Sequence, residues 1–127
     1  MILFGKKDQP SRNAYAVVTG AGSGIGRSFA LELAKRGGNV VCADINLEAA
    51  EETVKLVEQL GQKAFAVKCD VGQAEQVQVL ADQAEQLLEH PVTLIINNAG
   101  VGLGGKFDEM SLEDWKWCMH VNLWGVI

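Results

Sequence analysis

Two hydropathy patterns alternate along the chain. Apolar runs at residues 16–19, 39–44, 64–69 and 92–97 have the length of buried strands. Between them apolar residues recur at helical spacing: Ile25, Phe29 and Leu33; then Ala50, Val54, Val57 and Leu60; then Val77, Leu80, Ala84 and Leu87. Gly37-Gly38 ends the first helix, Asn46 can cap the second (47–60), and Gly61 stops it. The third covers 73–89. A last helix opens at Ser111, where Ser111-Leu112-Glu113-Asp114 fits a capping box, and runs through Trp115, Met119 and Asn122.

Strand and helix in strict alternation force parallel pairing and right-handed crossovers. Strands that are apolar almost throughout agree, because a parallel sheet is covered on both faces. The predicted fold is therefore α/β, with a parallel sheet of four strands covered on both faces; the expected arrangement is Rossmann-type, doubly wound, in the order 3-2-1-4. Residues 1–13 read as an amino-terminal tail and 14–127 as one domain, without repeat or linker. The fourth strand, nearly all apolar, would stand unpaired at the outer edge, inviting aggregation or pairing with another chain.

Composition narrows the function classes. The chain has 127 residues, 48% hydrophobic and 21% charged, ordinary for a globular domain. Its net charge of −5 argues against general affinity for nucleic acid or anionic membrane. Lys6, Lys7 and Arg12 read as solvated tail residues. Met1 to Phe4 is too short for a signal-peptide core, and no apolar run approaches the ~20 residues of a membrane span. The expected location is the cytoplasm. Cys42, Cys69 and Cys118 lack pairing spacing and fit reduced thiols. His90 and His120 have no second ligand at metal-binding spacing, so no metal site is expected.

The chemistry concentrates where the apolar runs end. The first run stops at Thr19 and turns through Gly20, Gly22, Gly24 and Gly26 into a helix. The free N–H groups of such a helix start, with the positive end of its dipole, suit a phosphate. Side chains at Gly20, Gly24 or Gly26 would block the turn, the approach of a pyrophosphate, or helix–strand packing. An ordinary β-turn-α connection is the competing reading of the glycines alone. Asp44 ends the second run, where an acid can accept from both hydroxyls of an adenosine ribose and repel a 2′-phosphate. None of residues 45–54 is Lys or Arg, so a dinucleotide bound here would be NAD rather than NADP. Asp70 ends the third run, where it can accept from an adenine amino group or simply cap a turn. Asn97-Asn98-Ala99-Gly100 closes the fourth, and its amides can tie neighbouring strand ends. The glycine-rich stretch 101–106 follows, either as a loop at the ligand edge or as a plain connector.

With these residues the chain resembles the short-chain dehydrogenases/reductases. The signatures are Thr19-Gly-x-x-x-Gly24-x-Gly26, Asp44, Asp70, Asn97-Asn98-Ala99-Gly100 and Asn122 in His120-Val121-Asn122-Leu123, in the family's order from Tyr15 to Ile127. The resemblance implies that the backbone around Gly20, Ser23, Gly24, Ile25 and Gly26 cradles the pyrophosphate of NAD. It implies that Asp44 holds the adenosine ribose and that Asp70, with the Val71 backbone, holds adenine. Asn98 and Gly100 would border the nicotinamide-side ribose. Asn122 corresponds to the family's catalytic asparagine, which bends its helix and holds a water in the proton relay.

One departure bears on activity. The family's serine and its Tyr-x-x-x-Lys pair follow this asparagine, whereas the single tyrosine here is Tyr15, in the first strand. The expectation is an amino-terminal half of a dehydrogenase: an NAD-binding domain, inactive alone. The parent would be an NAD-dependent oxidoreductase moving hydride between nicotinamide and a secondary alcohol or ketone. The alternatives are an NADPH-dependent ketoreductase and a dinucleotide-binding module without catalysis. The implied partners are a small alcohol or ketone and further copies of the chain, as a dimer or tetramer. Trp115, Trp117 and Trp124 on the last helix are expected to pack in the core or at that interface.

Overall fold

The structure, a computed structural model, describes residues 9–102 and 104–127. Lys6, Lys7 and the Met1–Phe4 stretch, read above as tail, lie outside the described residues, as does Leu103. Four strands, β1 (Tyr15–Thr19), β2 (Asn39–Asp44), β3 (Ala64–Lys68) and β4 (Leu94–Ile96), form one sheet in the order β3-β2-β1-β4. All pairings are parallel, with Val17 opposite Val41 and Ile95. The helices are α1 (Gly24–Lys35), α2 (Leu47–Gln59), α3 (Ala74–Leu88) and α4 (Leu112–Met119).

Alternation along the strands divides the core in two. Ala16, Val18, Val40 and Cys42 face α1 and α2, meeting Ala30, Leu33, Ala50 and Val57. Val17, Val41, Ala43 and Val67 face the other way, meeting Leu80, Ala84 and Leu88 of α3 and Val121. Burial on both faces is why the strands carry almost no polar residues.

The helical faces differ from the expected ones by about one position. In α1 the buried residues are Gly26, Ala30, Leu33 and Ala34, while Ile25 (70% exposed) and Phe29 (41%) look outward. In α2 Thr53 is wholly buried in place of Leu60, and in α3 Leu88 replaces Leu87. Small residues allow α1 to lie close to the sheet, so its larger apolar side chains are released for other surroundings. β4 is shorter than the predicted run: Thr93 N still donates to Tyr15 O (2.8 Å), but Val92, Thr93 and Asn97 are not in the strand. Like β3 it is an edge strand among the described residues, with Ile95 exposed.

Two caps form as expected. Asn46 accepts from Ala49 N (3.1 Å), and Ser111 and Asp114 cap one another reciprocally. After Met119 the last helix widens into a π turn, His120–Trp124, where Gly125 N donates to His120 O (2.8 Å) five residues back. A Cβ on Gly125 would lie 2.5 Å from Val121 O and 2.8 Å from Val71 Cγ2, so glycine alone lets this turn approach the end of β3. The three tryptophans are exposed, which removes the core-packing expectation. No helix among the described residues is long and apolar enough to cross a membrane.

Candidate functional site

Parallel strands bring all their carboxyl ends to one edge, and the residues singled out above meet there. Gly20, Ser23, Gly24, Ile25, Asp44, Asp70, Val71, Asn98 and Gly100 line one open cleft of about 520 Å3. Gly26 lies behind the turn, and Asn122 reaches the cleft only through Val101. The wall also includes Ile45, Cys69, Ala99, Val101, Trp117 and Val121. Of these, Ile45 and Cys69 escaped the sequence reading because an apolar residue at a strand end has the same local signature as a core residue.

The glycine turn makes the floor. Gly20 (φ 66°) and Gly24 (φ 53°) occupy the left-handed region that favours glycine. A Cβ on Gly26 would sit 2.0 Å from Gly20 O, so this glycine is required by helix–strand packing. A Cβ on Gly24 would meet nothing within 4 Å: the space above it opens to the cleft. Ser23 precedes α1 in extended conformation, and its side chain caps no N–H. The first helical bond runs from Arg27 N to Ser23 O, leaving the N–H groups before it directed out of the helix start. Such a helix start can take an anion on its free N–H groups, with Gly24 leaving space above the turn and the side chains of Ser23 and Ile25 beside it.

The neighbouring strand ends are tied to that floor. Thr19 Oγ1, buried, accepts from Asn98 N (3.1 Å) and Ala99 N (3.0 Å). Asn98 Nδ2 donates to Thr19 O (3.1 Å) and Gly20 O (3.3 Å). The asparagine thus holds β1 and β4 ends together and leaves Ala99 and Gly100 backbone along the cleft. Asp44 is held at both oxygens, Oδ2 accepting from Gly22 N (2.8 Å) and Oδ1 from Asn46 N (2.9 Å). Asp70 Oδ1 accepts from Gly72 N (2.9 Å), so this acid does make a turn as well as facing the cleft.

Asn122 sits within the π turn and clamps the loop after β4. Its Oδ1 accepts from Val101 N and its Nδ2 donates to Val101 O, both at 2.8 Å; Nδ2 also approaches Cys118 Sγ at 3.2 Å. Cys42 and Cys69, both buried, are not poised for nucleophilic work. Burial pushes Cys42 up to about 12, and burial with the nearby Asp70 carboxylate raises Cys69. Among the described residues no group of three or more His, Cys, Asp or Glu could hold a metal ion. A wider groove of about 820 Å3 lies at the opposite sheet edge, near Tyr15, Lys63 and Glu89, away from the glycine turn.

Residues 14–127 match the family model for short chain dehydrogenase. The 7alpha-hydroxysteroid dehydrogenase of Escherichia coli (strain K12) is 40% identical over 108 residues, covering 85% of this chain and 42% of that protein. Cyclohexanol dehydrogenase of Acinetobacter sp. (strain SE19) is 42% identical over 112 residues, covering 87% of this chain and 44% of that protein. A solved structure of a short chain dehydrogenase/reductase from Burkholderia phymatum in complex with NAD superposes with a TM-score of 0.86 at 42% identity. It covers 93% of this chain and 42% of that one. The chain thus spans less than half the length of these relatives.

Proposed function

This chain belongs to the short chain dehydrogenase family, and on that premise we propose that it forms the NAD-holding part of an oxidoreductase acting on a secondary alcohol or ketone. The observation that carries the reading is the cleft itself. A helix start with free N–H groups and an oriented carboxylate, Asp44, open onto the same space, with no basic residue among 45–54 to receive a 2′-phosphate. The donor set fits a dinucleotide: N–H groups for the pyrophosphate, Asp44 for the adenosine ribose, Asp70 and Val71 for adenine, and Asn98 and Gly100 beside the second ribose.

When bound, the nicotinamide supplies the hydride donor or acceptor. The chain's own residues bind and orient. Thr19 and Asn98 keep the strand ends in register with the glycine turn. Asn122 keeps the Val101 backbone at the nicotinamide end and belongs to the proton relay. The only tyrosine, Tyr15, opens β1 at the sheet edge away from the cleft and stacks on His90 (3.7 Å between ring centroids), so it takes no part. Alcohol substrates are supported by the names of the two dehydrogenase relatives, and NAD by the Burkholderia complex. The exposed apolar surface of Leu112, Trp115, Met119 and Trp124 supports association with further copies.

Equilibrium titration with NAD+ and NADP+ tests this. The expected result is tighter binding of NAD+, a gap narrowed by Asp44→Ala, and no steady turnover of alcohols by the 127-residue chain alone. Tighter binding of NADP+ would replace it with the NADPH-dependent ketoreductase.

A further inference from the structure

Behind the glycine turn, on the side of α2, a chain of hydrogen bonds leads from the helix surface to Asp44. Arg27 Nη2 donates to Gly22 O (2.6 Å) and to Glu52 Oε2 (3.2 Å), while its Nε donates to Thr53 Oγ1 (3.0 Å). Thr53 is wholly buried, and its Oγ1 donates to Ala21 O (2.7 Å). The hydroxyl has one hydrogen and two carbonyls within reach, Ala21 O at 2.7 Å and Ala49 O at 3.3 Å; the much shorter contact assigns it to Ala21 O, with Arg27 Nε on the acceptor side.

Ala21 C=O and Gly22 N–H belong to one peptide unit, which is planar and trans, so the two groups point in opposite directions. Holding the carbonyl toward Thr53 therefore aims the N–H away from it, and that N–H donates to Asp44 Oδ2 at 2.8 Å. Arg27 fixes the next peptide by its grip on Gly22 O. The contact between turn and carboxylate has no slack: a Cβ on Gly22 would lie 2.7 Å from Asp44 Oδ2 and 2.7 Å from Ala49 Cβ.

We propose that Thr53, oriented by Arg27, is a positioning residue for cofactor selection, setting the Ala21–Gly22 peptide so that it holds the Asp44 carboxylate toward the 2′-hydroxyl. This rests on the reading of the cleft as an NAD site. Neither residue touches the cleft; both act through the turn. With Oδ2 released and only Asn46 N still holding Oδ1, the Asp44 carboxylate loses part of its grip on the ribose and part of its repulsion of a 2′-phosphate.

The test is the ratio of NADP+ to NAD+ dissociation constants, measured by calorimetry on the full chain and its variants. Thr53→Val keeps shape and burial but removes the hydroxyl, and is expected to shrink the ratio about threefold to tenfold, as for one ordinary hydrogen bond. Thr53→Ser keeps the hydroxyl and is expected to keep the ratio. Arg27→Met, at a partly exposed position, is expected to shrink it as well, and serves alone if Thr53→Val does not fold. A merely structural role would weaken both dinucleotides equally. An unchanged ratio in the folded variants, beside a parent that prefers NAD+, overturns this proposal only. A parent that binds neither dinucleotide, or prefers NADP+, overturns the NAD reading and this proposal with it.

Discussion

Replacing Thr19 by valine preserves volume and β-branching at a buried position and deletes a single oxygen. That oxygen accepts from two backbone groups, Asn98 N at 3.1 Å and Ala99 N at 3.0 Å. With valine both donors lose their acceptor in a partly buried setting. Each orphaned donor costs about 1–3 kcal/mol, and partial solvent access places the pair at the low end, about 2–3 kcal/mol together. Serine keeps the acceptor and loses one methyl, about 0.8–1 kcal/mol. For a domain of this size each kcal/mol lowers Tm by about 3–6 °C. Urea unfolding of the three proteins reads the difference as midpoints at constant slope. The order expected is parent, serine, valine, and the valine protein is also expected to bind NAD+ more weakly, since the Asn98–Gly100 backbone is no longer pinned to the turn. A valine protein as stable as the serine one would refute the view that Thr19 joins the two strand ends through its hydroxyl.

The glycines of the turn separate packing from binding. Gly26→Ala places a methyl 2.0 Å from Gly20 O and is expected to cost about 2–3 kcal/mol in urea unfolding. Gly24→Ala meets no protein atom within 4 Å; its backbone strain costs about 1–2 kcal/mol, and it is expected to weaken NAD+ and NADP+ alike in calorimetry. Cys42 gives a pH signature. Its thiol is raised from 9.0 to about 12 by burial, so above pH 9 the unfolded chain releases a proton that the native chain keeps. Stability is therefore expected to fall as pH rises through that window, by up to about 1.4 kcal/mol per pH unit for this thiol. Cys42→Ala is expected to flatten the decline in unfolding curves taken across the window, and an unchanged slope would contradict the burial argument.

The sheet was legible because each signal was redundant. Near-continuous apolar runs, helical spacing between them and glycine or asparagine at the junctions agreed on alternating β and α, and the expected order 3-2-1-4 went with the family resemblance. Less legible was the phase of the helical faces. α1 lies on the sheet through Gly26, Ala30 and Ala34, small residues that carry little hydropathy signal, while the more conspicuous Ile25 and Phe29 are exposed. Thr53 was invisible for the opposite reason: a threonine at a helical position looks solvated, and its burial depends on partners, Ala21 O and Arg27, that only the fold supplies. The bend at the π turn was legible only through the resemblance at Asn122; Gly125 is constrained both by Val121 O in the turn and by Val71, distant in sequence. The cleft was legible in its strand-end acids and amides. The Gly22–Asp44 contact, the hold of Arg27 on the turn and the place of Trp117 in the wall emerged only when the elements were brought together.

The central claim is that NAD lies along the carboxyl edge of the sheet, with its adenosine at Asp44 and its pyrophosphate on the helix start. An amide NMR titration of the isotope-labelled chain with NAD+ tests this most directly. The account predicts shifts at residues 20–26, at Asp44 and Ile45, at Asp70 and Val71, and from Asn98 to Val101, with Lys63 and Glu89 unmoved. Shifts gathered around Tyr15, Lys63 and Glu89 at the opposite edge, or none at saturating NAD+, would contradict it.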